Sequence, residues 1–124
     1  MKLILDTHAA LWWLSGDDRF GAAAEAEITD STNQVLLSAV VVWEVSIKRS
    51  LGKLEAPGDL AAALIAGGAQ QLRFGLDHAA VVEGLPWHHR DPFDRLLIAQ
   101  ATVERAAIVS ADETLRGYEV RVVW

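Results

Sequence analysis

The sequence contains no cysteine, which excludes a disulfide framework and a zinc site built from thiolates. It has only 3 prolines and no linker-like stretch, so residues 1–124 are predicted to form a single domain. No apolar run approaches the length of a membrane span, and Asp6 and His8 interrupt the apolar start, which is not the pattern of a signal peptide. We therefore expect a cytoplasmic protein with no membrane partner.

Positive charge is also scarce. The chain has 17 Asp and Glu residues against 11 Lys and Arg residues, which gives a formal net charge of −6. This balance disfavours a protein that coats nucleic acid through its overall charge. It leaves open an enzyme that contacts nucleic acid at a local site, and it suits a basic protein partner. Apolar residues are abundant, at 52%, and predict a compact core.

Short apolar runs alternate with helical patterns along the chain. The runs predict five strands, at 2–5, 34–38, 70–74, 107–110 and 119–124. The helical patterns lie at 7–15, 21–31, 39–51, 58–66, 77–84 and 92–106. Such alternation predicts a parallel sheet with helices on both faces, an α/β three-layer sandwich. Right-handed crossovers bring the carboxyl ends of the strands to one edge, where open sheets bind ligands.

Two acidic residues lie where predicted strands end. Asp6 directly follows the run KLIL, and Asp112 comes just after AIVSA, so both are expected at the ligand-binding edge. Each also has a structural explanation, because acids are common where strands turn into helices. Thr7 is predicted as the N-cap of the first helix, and Asp112 as a cap for the short segment ETLRGY.

Two further acids interrupt apolar helix faces. Glu44 lies among valines and an isoleucine at helical spacing in VVVWEVSIK, and Asp94 precedes an apolar stripe in DRLLIAQA. A carboxylate on a buried face is unfavourable unless it is paired, protonated or bound to a metal. A salt bridge of Glu44 with Lys48, or of Asp94 with an arginine, explains either residue taken alone.

The segment HRDPFDRLLIAQA places two acids three residues apart. Asp91 precedes Pro92, which suits the first helical position, so Asp91 is predicted to cap the helix. Asp94 falls in the first turn, where its charge complements the helix dipole. Its apolar neighbours on the same face predict that Asp94 points inward and is more than a cap.

If the sheet forms as predicted, four acids converge: Asp6, Glu44, Asp94 and Asp112. Two like charges ~6 Å apart repel by roughly 3 kcal/mol at an effective dielectric of ~20, so the group is unfavourable without bound cations. Hard oxygen ligands suit Mg²⁺ or Mn²⁺, and no cysteine is present to favour a softer metal. Separated carboxylates around such a cation are typical of phosphodiester hydrolysis.

The order and surroundings of these acids resemble the PIN domain family, with Asp6 after the first strand, Glu44 in VVWEVSIK, Asp94 in DPFDRLLIAQA and Asp112 in IVSAD. More narrowly, the chain is similar to the VapC-type ribonuclease toxins of bacterial type II toxin–antitoxin pairs. The likeness covers essentially the whole chain, and residues 91–101 are its most specific part. It implies a five-stranded parallel sheet whose four acids are catalytic, bind Mg²⁺ or Mn²⁺, and cut single-stranded or looped RNA.

The same resemblance implies supporting residues and partners. Ser110 takes the place of the family's hydroxyl residue before the last acid, where threonine is more usual. Thr7 and Asp91 are predicted to support the metal-binding acids from adjacent positions. The family further implies a homodimer, held inactive by a small antitoxin whose tail occupies the active-site groove.

Basic residues near the acidic edge are candidates for contacts with RNA phosphates. Arg95, next to Asp94 in the sequence, is the strongest candidate, followed by Lys48 and Arg116. Arg49, Lys53 and Arg90 are further bases near the same edge. For any one of these bases, an ordinary surface ion pair is the plainer explanation.

Histidines flank two of the acids. His88 and His89 precede Asp91 and are predicted to be exposed loop residues, although an imidazole there is able to bind metal or act as a base. His8 follows Asp6 closely enough to contribute a hydrogen bond near the site, and we do not assign it a catalytic role.

Two other functions remain open from the sequence. One is a different α/β phosphoryl-transfer protein. A haloacid-dehalogenase-like phosphatase needs a second Asp two residues after the first, where this chain has His8, and a receiver domain needs a late lysine, whereas the last lysine is Lys53. The other is a catalytically silent interaction module with the PIN fold. The presence of all four acids argues against a silent module.

Overall fold

The computed structural model describes residues 1–124 and contains a five-stranded parallel sheet and six α-helices. The strands are β1 (Lys2–Leu5), β2 (Gln34–Ser38), β3 (Gln70–Leu72), β4 (Ala107–Val109) and β5 (Val122–Val123). The helices are α1 (Thr7–Ser15), α2 (Ala22–Thr29), α3 (Ala39–Ser50), α4 (Leu60–Ala66), α5 (Leu76–Val82) and α6 (Pro92–Glu104). A 3-10 helix covers Glu113–Gly117. The α/β architecture predicted from the sequence is confirmed.

The predicted and observed elements differ only at their ends. Both edge strands are shorter than predicted, because β3 stops at Leu72 and β5 covers only two residues of 119–124. An edge strand has a single neighbour, and its ladder ends where that neighbour ends: Leu72 lies opposite Ser38, the last residue of β2. No helix combines the length and the apolar composition needed to cross a bilayer.

The sheet has the order β3-β2-β1-β4-β5, with β1 at its centre. Successive residues of a strand point to opposite faces, yet Leu3, Ile4 and Leu5 all have 0% of their surface exposed. Helices therefore cover both faces of the sheet. This double burial explains why the central strands are apolar at consecutive positions rather than at alternate ones.

The strand order also determines where a ligand can bind. The chain leaves β1 towards β2 on one side, and it later returns to the other side of β1 as β4. A crevice forms at the carboxyl ends of two strands related in this way. Asp6 follows β1 and Asp112 comes shortly after β4. Helices α3 and α6, which carry Glu44 and Asp94, pack against each other beside this crevice.

Helix α6 begins as the sequence predicts. Oδ1 of Asp91 accepts hydrogen bonds from the backbone N–H groups of Phe93 at 2.8 Å and of Asp94 at 3.4 Å, and Pro92 occupies the first helical position. The N-cap role of Asp91 is confirmed. This cap fixes the first turn of α6, and hence the direction in which the side chain of Asp94 points.

We expect Gly21→Ala to destabilise the fold, because Gly21 lies directly against Trp124. An added Cβ would be 2.5 Å from the backbone carbonyl carbon of Trp124 and 2.9 Å from its indole ring. Overpacking of this kind costs roughly 1–3 kcal/mol, which urea denaturation should measure. Gly84→Ala is the matched control, since its Cβ would meet the nearest atom at 3.9 Å. Equal losses in the two variants would contradict this packing.

Candidate functional site

Asp6 is held at the end of β1 by two hydrogen bonds. Its Oδ1 accepts from the backbone N–H of Ala9 at 2.8 Å, and its Oδ2 accepts from the hydroxyl of Ser110. The first bond makes Asp6 the N-cap of α1, so the prediction that Thr7 fills this position is wrong. Asp6 has the extended backbone that an N-cap requires, whereas Thr7 is already the first helical residue.

The side chain of Thr7 instead contacts the acid on α3. Its hydroxyl donates to Oε1 of Glu44 at 2.6 Å, while Nζ of Lys48 lies 2.6 Å from Oε2 of the same residue. The Glu44–Lys48 salt bridge considered from the sequence is therefore present. The bond to Glu44 raises the pKa of Lys48, against the effect of burial, and the charges of Asp91 and Asp94 add to the rise. The ammonium group therefore pairs with Glu44 and also interacts with the charges of Asp91 and Asp94.

Asp112 caps the 3-10 helix that follows β4. Its Oδ1 accepts from the backbone N–H of Thr114 at 2.9 Å, and its own N–H donates to Oγ of Ser110 at 3.0 Å. Burial opposes ionisation, but the hydrogen bonds from Thr114 and His89 outweigh it and lower the pKa of Asp112. Because Ser110 also donates to Asp6, one hydroxyl links the two acids at the strand ends.

His89 lies between two of the predicted acids. Its Nε2 is 2.9 Å from Oδ2 of Asp112 and 3.2 Å from Oδ2 of Asp94. His89 lies in a loop, as predicted, but the prediction that it is exposed is wrong, because its side chain is only 18% exposed. The sequence carries only a weak signal for this position, namely that the imidazole precedes the N-cap Asp91 by two residues. The contact with Asp112 depends on how the chain folds back.

Asp94 experiences the electrostatics of the whole group. Burial is the largest cause that raises its pKa, to about 7, and the negative charge of Asp91 adds to the rise. Attraction to His89 opposes the shift, while repulsion from Asp6 and Glu44 increases it. These interactions show that the acids on α3, on α6 and at the end of β1 lie close enough for their charges to interact.

Burial and neighbouring charges also act on Asp6. Burial raises its pKa, against the hydrogen bonds from Ser110 and Ala9 and the attraction of His8, and repulsion from Asp112 contributes to the rise. The structure thus brings together the four acids that the sequence selects. Thr7, Ser110 and Asp91, predicted as their supporting residues, all contact this group or its backbone.

The donor set suits a hard divalent cation. Four carboxylates and Asp91 share one region with a single lysine, Lys48, so negative charge exceeds positive charge. One ligand atom each from His89, Asp94 and Asp112 lies within 4.8 Å of the others. Because Mg²⁺ binds oxygens at ~2.1 Å, small adjustments are enough for one ion to bind both carboxylates. Carboxylate oxygens are also the ligands that Mn²⁺ accepts.

Arg95 is not available to RNA, and the prediction of that contact is wrong. Its guanidinium is buried and donates to three backbone carbonyl oxygens within residues 82–86, at 2.8 to 3.3 Å. It also lies 3.7 Å from the ring centroid of Trp87. Adjacent helical residues point in different directions, so Arg95 holds a loop in place while Asp94 faces the acids.

The structure does not test the RNA contacts predicted for the other two basic residues, Lys48 and Arg116. Lys48 pairs with Glu44, and its side chain is 39% exposed. Arg116 pairs with Glu113 at 3.0 Å and donates to the carbonyl oxygen of Val122 at 3.4 Å. Contacts of Lys48 and Arg116 with RNA phosphates stay predictions.

Comparison with known proteins places this arrangement in a family. The PIN domain family model matches residues 3–120, and the chain belongs to the PIN domain family. Three similar solved structures share this fold at 14–16% sequence identity. No curated protein matches the sequence.

VapBC2 from Rickettsia felis, bound to a DNA fragment from its promoter, matches with a TM-score of 0.68 and 14% identity, over 98% of this chain and 97% of that chain. VapBC-1 from nontypeable Haemophilus influenzae matches with a TM-score of 0.67 and 16% identity, over 98% and 96%. A toxin–antitoxin complex from Klebsiella pneumoniae matches with a TM-score of 0.66 and 15% identity, over 98% and 96%.

We expect Arg95→Lys to destabilise the protein, because lysine lacks the planar group that donates to three carbonyls and stacks on Trp87. The carbonyl oxygens left without a donor should together lower the free energy of unfolding by about 1–3 kcal/mol. Urea denaturation measures the loss. Arg90→Lys is the matched control, since Arg90 is exposed. If Arg95→Lys is as stable as the control, the structural role assigned to Arg95 is wrong.

We expect Asp94→Asn to stabilise the protein in EDTA, increasingly as the pH rises. The folded pKa of Asp94 is about 7, above its ordinary value of 3.8, so the folded state holds the proton more tightly than the unfolded chain does. The stability that this proton contributes is complete below pH 3.8 and is lost as the pH rises through 7. The free energy of unfolding of the variant should exceed that of the wild type by roughly 1–4 kcal/mol at about pH 8, with no gain at about pH 4.

Urea denaturation of both proteins across this pH range measures the difference. Asp59→Asn is the control, because Asp59 is exposed and its side chain makes no capping hydrogen bond. A difference between Asp94→Asn and the wild type that does not change with pH would contradict the electrostatic description of the site.

Proposed function

We propose that this protein is a metal-dependent endoribonuclease, which hydrolyses RNA phosphodiester bonds and acts as the toxin of a toxin–antitoxin pair. The observation that carries the proposal is the group of four carboxylates at one edge of the sheet, whose charge Lys48 balances only in part. Membership of the PIN domain family and the likeness of the fold to toxin–antitoxin complexes support it.

In this proposal the carboxylates of Asp6, Glu44, Asp94 and Asp112 would hold Mg²⁺ or Mn²⁺. A divalent cation bound there lowers the pKa of the attacking water and stabilises negative charge on the phosphate. The remaining chemistry depends on the chain itself, which must keep the carboxylates oriented and let them ionise when the cation binds.

The supporting hydroxyls provide the orientation. Thr7 donates to Glu44 and Ser110 donates to Asp6, so one oxygen of each carboxylate is fixed by a neutral group. Burial is the main cause that raises the pKa of Asp94 to about 7. Metal ligands bind in the deprotonated form, so Asp94 gives up its proton as the cation binds.

Contact with RNA has to be local, because the net charge of −6 repels a polyanion. We assign this contact to Lys48, whose ammonium lies beside the acids, and to Arg116 on the 3-10 helix after Asp112. Contacts of this type position the phosphate backbone and do not read the base sequence.

The proposal includes a cognate antitoxin, a homodimer and a cytoplasmic location. An exposed apolar surface next to the site supports a protein partner: Trp43 is 55% exposed and lines a groove of about 460 Å³ together with Ile65. Trp43 packs edge-to-face on Phe93, and these two aromatics directly precede Glu44 and Asp94 in the sequence. An antitoxin segment seated in this groove would pack on Trp43, on the helix that also carries Glu44.

We expect the purified protein to cut RNA only with Mg²⁺ or Mn²⁺, and Asp94→Asn to lose at least about 100-fold in rate. Loss of supporting residues typically reduces metal affinity by 10–100-fold, and loss of a ligand should cost no less. Incubation of total RNA with Mn²⁺, followed by mapping of the new ends, measures the activity and locates the cleavage sites.

Asp59→Asn is the control for this experiment, since Asp59 is exposed and its side chain forms no hydrogen bond or ion pair with the four acids. Circular dichroism establishes that the variants are folded. Wild-type cleavage by a folded Asp94→Asn, or cleavage that persists in EDTA, would overturn the nuclease proposal. A wild-type protein that neither binds divalent cations nor cuts RNA would support the silent interaction module instead.

A further inference from the structure

His89 has an unusual position for a histidine at the proposed cation site. Its Nε2 forms a hydrogen bond of 2.9 Å with Asp112, and the same nitrogen lies 3.2 Å from Asp94. These two acids come from different parts of the fold, since Asp94 belongs to the first turn of α6 and Asp112 follows β4. The imidazole is the group that contacts both of them.

The other ring nitrogen determines which proton His89 carries. Nδ1 accepts a hydrogen bond from the backbone N–H of Asp91 at 3.0 Å, so its lone pair is already used and it bears no proton. In a neutral imidazole the proton then lies on Nε2, which becomes a donor. A metal ligand needs a free lone pair on Nε2, so this hydrogen bond makes His89 a donor to the carboxylates and not a ligand.

The backbone of His89 is fixed as well. Its N–H donates to the hydroxyl of Tyr118 at 2.8 Å, and Tyr118 is buried. The neighbouring His88 packs edge-to-face on the same tyrosine, with the ring centroids 4.9 Å apart. The loop before α6 is therefore attached to the segment that follows Asp112, and the His89 ring enters the site from a supported backbone.

We propose that His89 is a positioning residue, which holds Asp94 and Asp112 together for the cation by placing one neutral N–H between their carboxylates. A lysine or arginine at this position would bring a full positive charge that competes with the cation. A neutral donor reduces the repulsion between the two acids and leaves their negative charge available. This inference rests on the proposed function, because it concerns the same carboxylates.

Cation affinity tests the inference without reference to RNA cleavage. We expect isothermal titration with Mn²⁺ to show that His89→Ala binds the ion about 10–100-fold more weakly than the wild type, as for other residues that orient metal ligands. His89→Gln keeps a neutral N–H donor and should recover most of the affinity. His88→Phe keeps an aromatic ring against Tyr118 and removes the adjacent imidazole, which contacts neither acid, and it should bind like the wild type.

The ring protonation is tested separately. In the metal-free wild type, ¹⁵N NMR of the imidazole should show the proton of His89 on Nε2 and an unprotonated Nδ1. A proton on Nδ1, or a nitrogen of His89 bonded to Mn²⁺ in electron paramagnetic resonance, would overturn the donor role.

The binding results separate the two proposals. If the wild type binds Mn²⁺ and a folded His89→Ala binds it equally well, the positioning role is wrong while the nuclease proposal stands. If His89→Ala does not fold, His89→Gln decides: Mn²⁺ affinity close to that of the wild type supports the inference, and a loss of about 10–100-fold in a folded His89→Gln overturns it. A wild type that binds no divalent cation overturns both proposals.

Discussion

Repulsion among carboxylates at one edge of the sheet is the constraint on which the rest of the site depends. It acts on Asp94, where burial first, and then the negative charges of Asp91, Asp6 and Glu44, raise the pKa to about 7. A small domain is stable by only about 5–15 kcal/mol, so repulsion of a few kcal/mol is a large fraction of the total. A cation bound as proposed would relieve this repulsion, so the unfavourable electrostatics of the metal-free protein would contribute favourably to the binding of the ion.

The chain orients these acids mainly with groups that carry no charge. Hydroxyls of Thr7 and Ser110, and backbone N–H groups at the N-caps, fix individual carboxylate oxygens. Lys48 contributes the positive charge nearest to the acids. Arg95 follows Asp94 immediately in the sequence, but its guanidinium is turned into the fold, where it attaches the loop before α6. The negative charge therefore stays available to a cation.

The fold contributes by joining segments that are distant in the sequence. The order of the strands places the ends of β1 and β4 side by side, and the packing of α3 on α6 brings two helical acids to the same crevice. Each acid depends on a different element, so the site exists only when the whole sheet is formed. This dependence links the PIN fold to the proposed function more closely than any single motif does.

By itself, the sequence determines the strands and helices to within a few residues, because apolar runs, caps and helical periodicity are local properties. It also identifies the four acids, since each one interrupts an apolar pattern or follows a strand. Only the tertiary structure decides that Asp6 rather than Thr7 caps α1, that Arg95 is buried, and that His89 contacts Asp112. These features depend on backbone direction and on contacts between distant residues, which no local pattern encodes.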